Sequence, residues 1–233
     1  MKKSVKIIVE VVLLVAIVGL VYAIYNSITK PVNFNKQLEA RKTVAVQRLK
    51  DIRTLEVAYK GENNKFTADI DSLIDYYKNG QMSIVMQIGS VDDSLAWEHT
   101  QKVKKGLKGK GAEIDNQLKA LYDKGDKNLV FSAVTKIPVK DTLFRSREDF
   151  CADSLATIPF SGGKPVIMDA VVRMVSGVPV PLFEAKMPYK LLCKGMDNQL
   201  RINLDAEYRD MNRYEGLQVG SITAPNNNAG NWE

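Results

Sequence analysis

Histidine occurs once in the 233 residues, cysteine twice and tryptophan twice. With His99 as the only imidazole, Cys151 and Cys193 are too few and too scattered to close a tetrahedral zinc site. In an oxidising compartment they could form one bridge, Cys151 to Cys193, contributing about 3–4 kcal/mol by the loop-entropy argument. The alternative is two buried thiols that pack as small apolar side chains. Other chemical signatures are missing as well. Ser161-Gly-Gly-Lys164 lacks the spacing of a phosphate loop and follows Pro159, so it reads as a turn. No run has the alternating carboxylates of a calcium loop. No nucleophile stands with a base, and His99 falls in a lysine-rich helical pattern that gives it a structural role. The sequence therefore predicts no catalytic residue, no metal and no cofactor, and the chain is read as a non-enzyme.

Charge of either sign is absent from residues 11–29. As a helix this run is about 28 Å long, close to the ~30 Å hydrocarbon thickness of a bilayer. Lys2, Lys3 and Lys6 precede it and Lys30 follows it, so the positive-inside bias places the leading end in the cytoplasm and everything after Pro31 outside. The same run can be read as a cleavable signal ending at Val21-Tyr-Ala23. The apolar character continues through Ile24, Tyr25 and Ile28, and a second helical pattern follows closely, which favours an anchor over a signal. Glu10 lies a few residues into the span. A carboxylate there needs a partner: Lys6, one turn earlier, supplies one within the chain, and the alternative is a positive group on a neighbouring subunit. Ala16, Gly19 and Ala23 are small residues that permit close helix–helix approach in the bilayer. Once the four basic and one acidic side chains of the first thirty residues are set aside, the formal charge of +6 falls to +3. So small a surplus does not argue for nucleic acid.

Glu10-Val-Val-Leu-Leu-Val-Ala-Ile-Val-Gly-Leu resembles the start of type IV pilins and of the pseudopilins of type II secretion, in which a glutamate opens an apolar helix that runs on into a globular head. The likeness continues in Val46-Gln-Arg-Leu-Lys-Asp-Ile-Arg-Thr-Leu-Glu-Val-Ala-Tyr59, Asn63-Asn-Lys-Phe-Thr67 and Asp71-Ser-Leu-Ile-Asp75, and covers roughly the first third of the chain. Val5 and Lys6 stand where the family has its glycine–phenylalanine cleavage site. The resemblance implies a single-pass protein of the bacterial inner membrane with a periplasmic head. Membrane lipid and other envelope proteins, or further copies of itself, would be its partners in a secretion or pilus-like complex. The alternative is a membrane-anchored periplasmic binding module or enzyme.

The spacing of Leu38, Ala45, Leu49, Ile52, Leu55 and Tyr59 predicts an amphipathic stalk helix after Pro31, which is expected to interrupt the membrane helix or set its end. Gly61 is expected to close the stalk. A short helix on Phe66, Ile70, Leu73, Ile74 and Tyr77 follows, capped by Thr67 or Asp69. Residues 82–88 can form a strand. Residues 94–122 predict two helices, opened by Asp92-Asp93 and joined by a glycine- and lysine-rich segment. Lys102, Lys104, Lys105, Lys108 and Lys110 make this the one surface that could take an anion, although a solvated face is the simpler reading. Residues 129–137, 166–174, 178–185 and 189–193 are rich in β-branched and aromatic residues, and Ser176-Gly177 is a hairpin turn. A helix on Leu200, Leu204 and Tyr208 and a strand over 217–222 complete the chain. The predicted fold is α+β, a long N-terminal helix carrying a head built on an antiparallel sheet of about four strands. The expected divisions are 1–30 anchor, 31–80 stalk and short helix, 81–128 helical lysine-rich region, and 129–233 β-rich head.

Overall fold

The computed structural model describes residues 3–233, with side chains from Val9 onward. The elements in chain order are α1 (Lys3–Asn63), α2 (Ile70–Asn79), β1 (Gln81–Ile88), α3 (Ser94–Gly106), α4 (Ala112–Asp123), β2 (Phe131–Pro138), α5 (Val139–Thr142), a 3₁₀ turn (Ala152–Ala156), β3 (Ile167–Val175), β4 (Val178–Pro188), α6 (Tyr189–Leu192), α7 (Asn198–Asp210) and β5 (Gly216–Gly220). The class is α+β, as the residue pattern predicts.

Helix α1 is one continuous element of 61 residues. Pro31 lies inside it and does not end it, contrary to expectation. A proline removes a single N–H and displaces the carbonyl four residues earlier, here that of Ser27, and the long helix on either side carries through the defect. Over its apolar stretch α1 has a mean hydropathy of 2.3 and buries none of that surface, so it is long and apolar enough to cross a membrane. The helix stops at Asn63, and Asn64 takes the left-handed conformation (φ 56°). The stop expected at Gly61 therefore comes three residues later, on a residue whose short amide tolerates that region.

The chain forms two compact units, residues up to Thr54 together with Asp153–Glu233, and Leu55–Ala152. In the first unit, Phe34, Leu38, Ala45, Leu49 and Ile52 of α1 are buried. Antiparallel β3-β4-β5 contributes Leu182, Phe183, Ala185, Met187, Leu217 and Val219 to the core. The arginines that flank the buried stripe of α1 reach backbone acceptors. Arg41 donates to the carbonyls of Leu192 and Lys194, both at 2.8 Å, and Arg48 to that of Thr157 at 2.6 Å. Ser176 (φ 50°) and Gly177 (φ 82°) form the two-residue turn that the sequence predicts between β3 and β4, since both central positions need positive φ. Residues 189–193 form no strand. Pro188 ends β4, and with no N–H to spare it starts the helical turn α6.

In the second unit, β1 pairs antiparallel with β2 over eight residues, from Gln81 opposite Pro138 to Ile88 opposite Phe131. Leu118 of α4 packs with Leu129, Phe131 and Ala133 beneath this ribbon, joined by Ile88, Val103 and Leu107. Asp69 caps α2 by accepting from the N–H groups of Asp71 and Ser72, and Asp93 caps α3 in the same way at Leu95 and Ala96. Among the described residues the strands form two antiparallel sheets, one of three strands and one of two, where the sequence predicts one sheet of about four. The strand at 131–138 bonds to the one at 81–88, which residue composition could not reveal.

Leu49 is fully buried while Val44 on the same helix is 41% exposed. We expect Leu49→Ala to cost about 2–5 kcal/mol and Val44→Ala less than about 0.5 kcal/mol. Thermal unfolding of the detergent-solubilised chain, followed by circular dichroism, checks this; equal losses would contradict the assigned core.

Candidate functional site

One stretch of α1 and the C-terminal part of the chain line an open recess of about 380 Å³ in the first unit. Glu39, Lys42, Gln47 and Lys50 present polar groups from successive turns of α1, and Tyr189, Tyr208 and Trp232 line it from α6, α7 and the tail. Lys42 Nζ lies 2.9 Å from Glu39 Oε1 and 5.6 Å from the centre of the Tyr189 ring. The Tyr189 hydroxyl donates to that of Tyr208 at 3.1 Å, with the rings edge to face at 5.1 Å. Burial pushes the Tyr189 phenol well above its ordinary range, with the Tyr208 hydroxyl adding to it, so it remains a neutral donor. The Trp232 indole lies against Gly230, where a Cβ would come within 2.3 Å of the ring, so the tail closes over the cavity only with glycine at 230. Trp232 Nε1 is buried without a hydrogen-bond partner. This is a mixed, donor-rich recess within the size range of small-molecule sites.

The sequence-predicted residues fall in several places. Glu10, Ala16, Gly19 and Ala23 are exposed on α1, and a Cβ added at Gly19 would meet nothing within 4 Å. The side chain of Lys6, and with it the predicted pairing to Glu10, lies outside the described residues. Both cysteines are thiols, Cys151 exposed and Cys193 buried, so the structure contains no bridge between them. Burial raises the Cys193 thiol above its ordinary value, which keeps it protonated. Of the lysines around the α3–α4 joint, Lys102, Lys105, Lys108 and Lys110 are exposed and Lys104 is half-buried. His99 donates or accepts at 2.8 Å from Asp126, which ties α3 to the segment after α4. Ser161-Gly-Gly-Lys164 is a turn, closed by Lys164 N–H donating to Ser161 Oγ at 2.9 Å.

Glu56 is the functional candidate that sequence reading missed. It is fully buried in the second unit; Oε2 accepts from Thr67 N–H at 3.2 Å and Oε1 has no partner. Burial raises its pKa to about 8, against the smaller lowering effect of the Thr67 N–H. The signal was available, because Glu56 follows Ile52 by four residues and Leu49 by seven on the apolar stripe. No family model, no curated protein and no solved structure matches the chain.

An unfolded Glu56 loses its proton near 4.5 while the folded one holds it to about 8, so the folded state binds the extra proton across that interval. Stability contributed by this group therefore falls as pH rises from 4.5 to about 8 and is level beyond. We expect Glu56→Gln to remove that part of the decline and to raise the melting temperature on the alkaline side. Parallel melting-temperature curves for the two proteins would contradict a buried, protonated Glu56.

Proposed function

We propose that the protein is a single-pass protein of the bacterial inner membrane with a periplasmic pilin-like head, serving as a structural or assembly subunit of an envelope complex. The observation that carries this reading is the change of surroundings along α1. Apart from Glu10, its first part is apolar and exposed on every side from Val9 to Ile24, whereas Leu38, Ala45, Leu49 and Ile52 of the same helix are buried on one side only. A helix with a lipid-length apolar segment and a one-sided core stripe suits a subunit that is held in the bilayer and built into its own head. Exposed Gly19, Ala16 and Ala23 leave a smooth strip for a neighbouring transmembrane helix.

Washing native membranes with alkaline carbonate should leave the chain in the pellet, and gentle detergent extraction should recover it with further copies or other envelope proteins. Release by carbonate would remove the anchor; a monomer without partners would remove the assembly role. Because Val5 and Lys6 replace the family's cleavage residues, the recovered chain should retain its basic leader by intact mass.

The cavity beside Tyr189 and Lys42 favours a second reading, an anchored module that binds a small molecule. In that case a panel of acidic sugars, amino acids and short peptides should raise the melting temperature, and Lys42→Met should remove the shift. A panel without effect would count against it.

A further inference from the structure

The two edges of the three-stranded sheet are finished differently. The tail closes β5, with Gly220 N–H donating to the Ala229 carbonyl at 3.0 Å and Asn231 N–H to the Gln218 carbonyl at 2.9 Å. Strand β3 has β4 on one side and, among the described residues, no strand on the other, over nine residues. The turn at Ser176-Gly177 makes Val175 and Val178 a hydrogen-bonded pair, so Arg173, Val171 and Asp169 also bond towards β4. Met174, Val172, Ala170 and Met168 turn their N–H and C=O groups outward. Pro179 and Pro181, which have no N–H to give, sit opposite Met174 and Val172, in keeping with this alternation. Along the open side, among the described residues, Ala170 N–H donates to the carboxylate of its own neighbour Asp169 at 2.8 Å. Val172 and Met174 are 62% and 68% exposed. A long edge with a single outward N–H capped locally is a template for another strand.

The sequence of the edge indicates which strand. In an antiparallel pair centred on Val171, two copies of β3 set Val171 opposite itself, Ala170 opposite Val172, Asp169 opposite Arg173 and Met168 opposite Met174. The outward-turned residues fall opposite one another, giving about eight backbone hydrogen bonds at two per narrow pair. Asp169 and Arg173 then face each other twice, in the close non-hydrogen-bonded pairs where opposite charges interact best. A shift of one residue in the pairing places neither charge opposite the other. Parallel pairing in register brings like charges together. Arg173 Nε already donates to the Ile222 carbonyl, which holds the guanidinium while leaving its terminal amino groups free to reach across. When Ala170 N–H passes to the partner's Val172 carbonyl, the Asp169 carboxylate that caps it is released to the partner's arginine.

We propose that a second copy of this chain docks on β3, antiparallel and centred on Val171, so that two three-stranded sheets become one six-stranded sheet about a two-fold axis. This identifies the contact for self-association and rests on the assembly reading above.

The test uses the full chain in native membranes, with Cys151→Ser removing the exposed thiol. In the pair, Val171 and its symmetry mate have Cα atoms about 4.5 Å apart, within disulfide range. Val171→Cys should cross-link as a dimer on mild oxidation and Val172→Cys should not. Asp169→Arg should abolish the Val171→Cys cross-link, and adding Arg173→Asp should restore it; that rescue separates a charge contact from misfolding. If the detergent-extracted chain is an oligomer but Val171→Cys gives no dimer and the charge variants change nothing, the β3 contact is overturned while the assembly reading stands. If the chain is monomeric in detergent and remains uncross-linked in membranes, both fall.

Discussion

The structure depends on the one-sided burial of α1. Leu38, Ala45, Leu49 and Ile52 lose essentially all of their solvent exposure, and each large side chain among them contributes roughly 1.5–3 kcal/mol from burial. The polar flanks of the same stripe satisfy backbone elsewhere. The carbonyls of Leu192 and Lys194 lie at and just beyond the end of α6, where helical donors run out, and the Arg41 guanidinium supplies two. Arg48 does the same for Thr157 and Arg53 for Asn228, at 3.3 Å, so one helix provides both the hydrophobic contact and the donors for irregular segments. The apolar stretch near the N-terminus of α1 has no such stripe: its residues are exposed all round the helix.

Buried carboxylates are handled in contrasting ways. Glu184 is buried on its sheet with Lys186 as its ion-pair partner and Gln218 Nε2 donating to it at 2.8 Å. Asp205 keeps an ion pair with Arg201, yet one of its oxygens has no partner and desolvation raises its pKa. Glu56 has no cation and only one backbone donor, and burial there favours the neutral acid. The sheet edges show the same economy. Where the tail reaches β5 the edge is closed by backbone, and where no strand among the described residues reaches β3 a local carboxylate covers a single N–H.

Much of the local structure was legible in the sequence because local rules decide it. Asp69 and Asp93 cap helices as their position before apolar periodicity requires, and Ser176-Gly177 turns because both residues accept positive φ. The glycine-rich joint divides residues 94–122 into α3 and α4. Other expectations failed where a local rule met a longer-range one. Pro31 did not end α1, since one missing N–H is a small defect in a helix continued on both sides. The β-branched and aromatic run at 189–193 became a helical turn because Pro188 had ended the ladder. The candidate site was less legible still. Lys42, Tyr189, Tyr208 and Trp232 are distant in sequence and belong to different elements, so no motif spacing links them.

By itself the sequence determined the apolar helix, the buried stripe of α1, the caps and the hairpin turn, because each follows from residue types within a few turns of one another. Only the tertiary structure decided that residues 131–138 pair with 81–88 and that the tail closes β5 while β3 is left open. It alone decided that Cys193 loses its water. Those outcomes depend on which distant surfaces cover a segment, and burial by distant surfaces leaves no period in the chain.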